Sequence, residues 1–361
     1  MGLSSTKLAT HIPTPSSISY MWNFGSLLGF SMGIQIISGL FLTFYYESSL
    51  SLSFDSVVSI YFDKNGGWIF RLVHSNGASM IFIFMYAHIA RGLWYGSFVL
   101  RHVWMIGVSI YLMTMAVAFL GYVLPWGQMS YWGATVITNL VSTIPFFGPD
   151  LLIWLWGGFS VSKPTLIRFF SLHFILPFVI LVAILAHLAV LHITGSLNPL
   201  GVEPQSDKVH FHPYFILKDL VGLAVVFFVF LGVCLNFPDI FMDCDNFTQA
   251  NPLSTPPHIQ PEWYFLFAYA ILRCIPSKLG GVLGLVMSVL ILYTYVSLKI
   301  NNPFARHRPM LKFVLLVFFV NFLSLTWLGM MPVEDPFISV SKVSSMVYFS
   351  SILTHMKLVS D

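Results

Sequence analysis

One stretch, residues 68–94, restricts the fold of this chain more than any other. The 19 residues between Arg71 and Arg91 include no Asp, Glu, Lys or Arg, and about 20 such residues are needed for one helix to cross a bilayer. The stretch carries two histidines, His74 and His88, 14 positions apart. This interval is close to four helical turns. Both side chains are therefore expected on one helix face, one toward each membrane surface.

A second stretch repeats this interval with His173 and His187. The chain as a whole is 57% hydrophobic and 9% charged, whereas a soluble protein has about a quarter charged residues. We therefore predict an all-α integral membrane protein with eight transmembrane helices, the last of them diluted by serines. The predicted spans are residues 23–46, 68–94, 103–125, 168–195, 219–238, 279–299, 311–331 and 337–356.

Loop charges give these spans a direction. With an even number of spans both termini lie on one side, and that side collects 10 of the 17 Lys and Arg residues. The positive-inside rule makes it the negatively polarised side of the membrane, the N side. Spans two and four then both run from the opposite, P side to the N side. His74 is expected to pair with His173 near the P surface, and His88 with His187 near the N surface.

The type of centre follows from the ligands that are present. A lone membrane histidine is as often a packing residue as a ligand, but four at matching intervals favour ligation. Zinc fits poorly, because neither pair has a Cys or carboxylate nearby to complete a tetrahedron. Haem needs only two axial imidazoles, and with both positions filled it favours electron transfer.

Space for two flat rings is indicated by glycines in spans one and three. Gly25 and Gly39 are 14 positions apart, as are Gly107 and Gly121, and they fall at the depths of the two histidine pairs. Residues without a Cβ allow a ring to approach the backbone closely. The alternative is that they form ordinary packing faces between membrane helices.

Two arginines lie one helical turn outside the histidines. Arg71 precedes His74 by three positions, and Arg91 follows His88 by three. Each is a candidate partner for haem propionates at its own membrane surface. The alternative is a snorkelling arginine at a helix end.

With these residues in place, the chain resembles mitochondrial-type cytochrome b of the cytochrome bc1 complex (respiratory complex III) over essentially its whole length. The resemblance rests on the two histidine pairs, the glycine pairs, the run at residues 121–139 and the Pro-Glu-Trp-Tyr motif at 261–264, with further matches at 198–201 and 211–214. Plastid-type cytochrome b6 is similar in its first four helices. It typically has one more residue between the histidines of the fourth helix, and its second part is a separate chain.

The resemblance implies two b-type haems stacked in a bundle of the first four helices. His74 and His173 would hold the low-potential haem and His88 and His187 the high-potential haem. Residues 1–200 would form this haem-binding lobe. Residues 201–361 would form a second four-helix lobe that carries the loop of the quinol site.

Two quinone sites are implied as well. At the P-side site, Glu262 would accept a proton from quinol; without the resemblance, an interfacial helix with a capping glutamate is an equal alternative. The residues implied there are Glu262, Tyr264, Tyr122, Met129, Gly133, Pro261, Phe265 and Tyr269. The residues implied at the N-side site, where a quinone would be reduced and protonated, are His192, Asp219, Trp22, Ser26, Ser196 and Lys218.

The function implied is that of the redox core of a proton-translocating quinol:cytochrome c oxidoreductase. A Rieske iron–sulfur protein, cytochrome c1 and other complex III subunits are the expected partners, in a homodimeric complex with no role for nucleic acid. The expected location is the mitochondrial inner membrane with both termini in the matrix, and a bacterial inner membrane is the alternative. Two other functions remain open from the residues: another di-haem quinone oxidoreductase anchor, and a transporter that relays protons through membrane histidines.

Overall fold

The computed structural model describes residues 12–202, 205, 207–299 and 308–360. Within these residues the chain is almost entirely helical, with one small antiparallel pair of strands, β1 (Pro13–Pro15) and β2 (Lys208–His210). The α-helices are α1 (Phe24–Leu42), α2 (Ser53–Phe62), α3 (Gly67–Trp94), α4 (Arg101–Val123), α5 (Gln128–Asn139), α6 (Gly148–Trp156), α7 (Lys163–Thr194), α8 (Tyr214–Asn236), α9 (Leu266–Cys274), α10 (Lys278–Leu290), α11 (Pro309–Met330) and α12 (Phe337–Ser360). The 3₁₀ helices are Tyr20–Asn23, Ser97–Val99, Leu140–Thr143, Cys244–Phe247, Trp263–Phe265 and Ile291–Ser297.

The eight predicted spans all fall on long helices. Seven helical segments in the described residues are long and apolar enough to cross a membrane. They are Tyr20–Leu42, Arg101–Val123, Lys163–Thr194, Tyr214–Asn236, Lys278–Ser297, Pro309–Met330 and Phe337–Ser360. The remaining span is α3, whose 28 residues give it a length of about 42 Å. Its buried polar side chains, among them Asn76 and Ser79, make it less apolar than the others. The predicted fold class, an all-α membrane-helix bundle, is confirmed.

Local signals set the ends of the two histidine-bearing helices. α3 begins directly after Gly66, whose φ of 74° suits glycine. α7 begins with a capping box between Ser162 and Thr165. It ends at Gly195, with a φ of 76°.

Helix packing arranges the long helices in pairs. α1 packs along α3, and α4 packs along α7, while α9, α11 and α12 pack on one another. One cluster of buried side chains runs through both halves of the chain, from Met32 and Phe82 to Phe267 and Tyr348. On α7 and α8, by contrast, large apolar side chains such as Val182 and Phe228 are exposed, as expected for surfaces that face lipid.

Both ends of the described chain lie on one side of the bundle, which we call the terminal side. The ring of Trp22, just before α1, lies 5.1 Å from that of Tyr95, after α3. His355, near the end of α12, lies 5.9 Å from Phe98 in the same connection. The other side carries the long connections 124–162 and 237–277, and we call it the loop side.

The serines of α12 explain its weak hydropathy. Four of them, Ser341, Ser344, Ser345 and Ser351, are buried. The Ser345 hydroxyl lies 3.3 Å from the Cys274 sulfur, and the Ser344 carbonyl accepts a hydrogen bond from Asn321 at 2.8 Å. Val343 and Met346 point outward and are exposed. This helix therefore buries its small polar residues against its neighbours, a common arrangement between membrane helices.

Candidate functional site

Two pairs of histidines face each other between α3 and α7. The ring centres of His74 and His173 are 6.1 Å apart, and those of His88 and His187 are 6.4 Å apart. The pairs are those expected from the chain direction, since each joins residues at the same depth of two parallel helices. The first pair lies toward the loop side and the second toward the terminal side.

Each histidine ring lies against a glycine of the helix packed alongside. The four neighbours are Gly39 and His74, Gly25 and His88, Gly121 and His173, and Gly107 and His187. A Cβ on Gly39 would approach His74 Cε1 to 2.8 Å, closer than real contacts allow, and one on Gly121 would come closer still to His173. Each glycine lies at the depth of the histidine with which the sequence analysis aligned it. The space left by each missing Cβ is occupied by an imidazole of the neighbouring helix.

Hydrogen bonds orient three of these rings. Nδ1 of His74 lies 3.0 Å from the Ser38 hydroxyl, and Nδ1 of His173 lies 2.8 Å from the Val117 carbonyl. A metal-binding histidine commonly donates its second ring N–H to such an oxygen, which leaves Nε2 free as a ligand. Nδ1 of His88 instead lies 3.2 Å from a guanidinium nitrogen of Arg91.

The spacing and the donor set suit haem. Two imidazoles whose nitrogens each lie about 2 Å from one shared metal ion have ring centres about 6 Å apart, as observed here. In the part of the chain that the structure describes, no cluster of three or more His, Cys, Asp or Glu side chains is placed to hold a metal ion. Each pair therefore supplies two protein ligands, which is what a haem iron takes in addition to its own ring nitrogens.

A cavity opens on the loop side between the end of α4, helix α5 and the segment 259–269. It is partly open to the outside and is lined by apolar side chains around the carboxyl group of Glu262. The lining residues are Phe119, Tyr122, Gly133, Val136, Ile137, Ile259, Pro261, Glu262, Phe265 and Tyr269. Six of them are among those expected from the sequence.

Four lining residues were missed by sequence reasoning: Phe119, Val136, Ile137 and Ile259. For three of them, helical spacing in the sequence could have indicated a place in the cavity wall. Val136 and Ile137 lie one helical turn after Gly133, and Phe119 lies one turn before Tyr122, so they share a helix face with a proposed lining residue.

Tyr264 and Met129 do not line the cavity. The Tyr264 ring stacks on Phe82 with ring centres 4.0 Å apart, and the Tyr264 carbonyl accepts a hydrogen bond from Tyr86. Met129 is only 1% exposed. The Tyr264 ring also packs on the lining residue Phe265, with ring centres 4.6 Å apart.

The carboxyl group of Glu262 is strongly perturbed. Its pKa is raised to about 8, mainly by burial and to a smaller extent by the negative charge of Asp243. The positive charge of Arg71 and a hydrogen bond with Tyr122 act against this increase. Near neutral pH the group is therefore largely protonated.

On the terminal side, the structure brings some of the expected residues together. The Ser26 hydroxyl donates to Asp219 at 2.9 Å, and the Lys218 ammonium donates to the Ile18 carbonyl at 2.7 Å.

The other residues expected on this side are Trp22, His192 and Ser196. The Arg91 guanidinium lies over the Trp22 ring, 5.2 Å from its centre. His192 is exposed and Ser196 is half-buried at the end of α7. Among the hydrogen bonds of the described residues, neither of these two side chains contacts Ser26 or Asp219.

The helix bundle, the two facing histidine pairs and the cavity around a buried carboxyl group define an integral membrane protein of the redox class. Two family models match the chain: Cytochrome b/b6/petB over residues 9–195, and Cytochrome b(C-terminal)/b6/petD over residues 249–349. The chain therefore belongs to the cytochrome b/b6 family.

A solved structure gives the same result. A chain described as "Hyperthermophilic respiratory Complex III" matches with a TM-score of 0.92 and 31% sequence identity, over 98% of this chain and 95% of that one. The resemblance to a bc1-type cytochrome b that the sequence predicted is confirmed.

Proposed function

We propose that this chain is the haem- and quinone-binding core subunit of a quinol:cytochrome c oxidoreductase. The observation that carries the proposal is the presence of two facing histidine pairs at two depths of one helix bundle. Membership of the cytochrome b/b6 family and the likeness to a respiratory complex III chain support it. When bound, two b-type haems would carry single electrons between the two sides of the bundle.

The histidines would hold these groups through Nε2. His74 and His173 would hold the low-potential haem on the loop side, with their Nδ1 protons donated to Ser38 and Val117. His88 and His187 would hold the high-potential haem.

The contact between Arg91 and His88 is incompatible with this role. An arginine only donates hydrogen bonds, so the contact requires an unprotonated Nδ1 on His88. A neutral histidine that coordinates through Nε2 keeps its proton on Nδ1. With His88 coordinating in this way, the Arg91 guanidinium would donate to another acceptor. Carboxylates of the bound group are suitable acceptors, as they are for Arg71 on the loop side.

Quinol would be oxidised in the loop-side cavity. One of its two electrons would leave to the Rieske iron–sulfur partner, and the other would pass to the site held by His74 and His173. The apolar walls of the cavity exclude water, and an unprotonated Glu262 would accept a proton from a quinol hydroxyl group. With a pKa of about 8, this carboxylate is a stronger base than an exposed glutamate and still loses its proton within one or two pH units of neutrality. The Tyr122 hydroxyl, hydrogen-bonded to Glu262, would orient it.

Residues on the terminal side would deliver protons to a quinone that is being reduced. Asp219 and Ser26 form the hydrogen-bonded centre of this group. Trp22, His192, Ser196 and Lys218 would complete it. These side chains lie at the helix ends, where water can replace each proton that is used.

The two sides differ in polarity. We assign the loop side to the positively polarised face of the membrane and the terminal side to the negatively polarised face. An electron that crosses between them moves against the field at a cost of about 2.3 kcal/mol per 100 mV, which a higher potential at the His88/His187 site would offset. Protons released on one face and taken up on the other would build the gradient.

The cellular location and the partners form a further part of the proposal. We propose a multi-pass chain of the mitochondrial inner membrane with both ends on the matrix side. It would work in a dimeric complex with a Rieske iron–sulfur protein and cytochrome c1. Within it, residues 1–200 would be the haem-binding lobe and residues 201–361 the lobe that carries the Glu262 segment.

Haem content and redox potential test the proposal together. In the purified complex, a potentiometric titration followed by optical spectroscopy should resolve two b-type haems per chain with separate potentials. His88→Leu should remove one of them and spare the other, whereas His102→Leu, at an exposed histidine, should remove neither. Retention of both haems in the His88 variant would show that the ligand pairing is wrong.

A further inference from the structure

The two walls of the loop-side cavity come from distant parts of the chain, and one short segment contacts both. One wall contains α5, with Gly133. The other contains the segment around Glu262. Between them runs the segment 243–254, which includes the 3₁₀ helix Cys244–Phe247. None of its residues lines the cavity.

The first contact joins this segment to α5 through Asn246. The carboxamide oxygen of Asn246 lies 2.9 Å from the backbone nitrogen of Ser130 and 3.0 Å from its hydroxyl oxygen. The same hydroxyl lies 2.6 Å from the carbonyl of Tyr122, whose side chain lines the cavity. Ser130 is fully buried, so its own amide and hydroxyl groups have no access to water.

Backbone hydrogen bonds reinforce this attachment. The amide of Gln128 donates to the Thr248 carbonyl, and the amide of Ala250 donates to the Trp126 carbonyl, both at 2.9 Å. Gly127 lies so close to Asn246 that an added Cβ would collide with the Asn246 carboxamide and backbone. The position of α5 against the segment is therefore tightly defined.

The second contact joins the segment to the opposite wall. The side-chain amide of Gln260 donates to the Asp243 carboxylate at 3.2 Å. Gln260 directly precedes Pro261 and Glu262, and Asp243 is the residue that caps the 3₁₀ helix. A single turn of helix thus connects the wall that carries Gly133 to the wall that carries Glu262.

We propose that Asn246 is a positioning residue for quinol oxidation: its carboxamide oxygen, bound to Ser130, holds α5 at a fixed separation from the Glu262 segment. This inference rests on the proposed function of the cavity. An amide oxygen can accept both hydrogen bonds without adding a negative charge close to Asp243. A wall displaced by even 1 Å can lower the rate of a positioned reaction by about two orders of magnitude.

The test uses the purified complex and a short-chain ubiquinol as substrate. Asn246→Leu, which keeps the size but loses the acceptor, should lower kcat/KM roughly 10- to 100-fold, with both haem spectra unchanged. Asn236→Leu is the matched control, because Asn236 is exposed and bonds only within its own helix. Asn246→Asp restores an acceptor oxygen and should recover most of the loss in kcat/KM when measured well above pH 8.

Ser130→Ala provides a milder change at the other end of the contact. It should lower kcat/KM about threefold, as expected for one lost hydrogen bond. Because part of the Ser130 effect acts through Asn246 and part through the Tyr122 carbonyl, the losses in the double variant with Asn246→Leu should be less than additive. Fully additive losses would contradict the positioning role, and Ser130→Ala keeps the question testable if Asn246→Leu does not assemble.

Gly133→Leu separates this inference from the proposed function. A Cβ on Gly133 meets no atom within 4 Å, so a leucine there fits into the cavity and blocks it. If quinol oxidation survives Gly133→Leu, the cavity is not the oxidation site and both proposals fail. If Gly133→Leu abolishes oxidation while Asn246→Leu behaves like Asn236→Leu, only the role of Asn246 is wrong.

Discussion

The two histidine pairs share one sequence pattern but lie in different surroundings. On the loop side the rings of His74 and His173 are nearly perpendicular, at 84°, and their Nδ1 atoms lie beside oxygen atoms. On the terminal side the rings of His88 and His187 are tilted at 57°, and Nδ1 of His88 meets a guanidinium nitrogen of Arg91. The 14-residue interval therefore sets depth and helix face, and other residues set the properties of each site.

The neighbouring groups extend this contrast. Beside the loop-side pair lies an apolar cavity with one buried carboxyl group. Beside the terminal-side pair lie Arg91, Lys218 and Asp219, near the helix ends. Proton transfer on the loop side is therefore expected to depend on the pKa of a single residue, whereas the terminal side has several ionisable groups close to water.

The largest expected effect comes from adding a methyl group at Gly39. A Cβ there would lie 2.8 Å from His74 Cε1, whereas on Gly25, in the same helix, it would lie 3.6 Å from His88 Cε1. Gly39→Ala must displace the His74 ring, so it should remove the low-potential haem and abolish turnover. Gly25→Ala should retain both haems. Optical spectra of the reduced complex measure the difference.

A third glycine of α1 controls for helix propensity. Gly33 has no atom within 4 Å of an added Cβ, so Gly33→Ala should leave both haems in place. If Gly39→Ala and Gly25→Ala give the same spectrum, the tighter fit on the loop side has no consequence for the cofactor.

The next effect concerns the pH dependence of quinol oxidation. Glu262 accepts a proton only when it is unprotonated, and its pKa is about 8. As the pH increases toward this pKa, the rate of quinol oxidation should rise about tenfold per pH unit. Above the pKa the rate should level off. Glu262→Gln should remove this dependence and lower the plateau by about two orders of magnitude. Steady-state rates between pH 6 and 9 measure both effects.

The terminal side provides the internal comparison. Reduction of a quinone there does not use Glu262, so re-oxidation of the high-potential haem by added quinone should be unchanged in Glu262→Gln. A rate of quinol oxidation that does not vary with pH in the unmodified complex would contradict the role assigned to this carboxyl group.

Most of what could be predicted from the sequence came from hydropathy, residue spacing and the resemblance to cytochrome b. Hydropathy and histidine spacing predicted the helices, and the direction of the spans predicted which histidines face each other. The fold class and the family are confirmed, whereas the roles of individual site residues stay predictions. Helical spacing from Gly133 would also have indicated Val136 and Ile137 in the cavity wall.

The features that were not predicted depend on contacts between distant residues. That an imidazole fills the space beside Gly39 depends on the side-chain position of His74 in another helix. The inward face of the α12 serines follows from packing against α9 and α11, which hydropathy does not show. Similarly, Ser130 and Asn246 are separated by 116 positions, and no local pattern links them.

The smallest expected effect tests the electrostatics of the loop side alone. The negative charge of Asp243 raises the pKa of Glu262, so Asp243→Asn should lower that pKa and shift the rate profile toward acid pH by about half to one unit. The asparagine oxygen can still cap the 3₁₀ helix. Its NH2 group can donate to the side-chain oxygen of Gln260 once that amide flips, so a contact between the two residues is preserved. Rates at pH 6 should then rise about threefold to tenfold, with the plateau unchanged.

Asp245→Asn is the matched control for this shift. Asp245 lies in the same segment, but it is not among the groups that act on the pKa of Glu262. Its variant should therefore keep the original profile. An equal shift in both variants would mean that the net charge of the loop side, rather than the neighbouring Asp243, sets the proton affinity of Glu262. The loop side would then differ from the terminal side in its overall charge, and not through a specific interaction between Asp243 and Glu262.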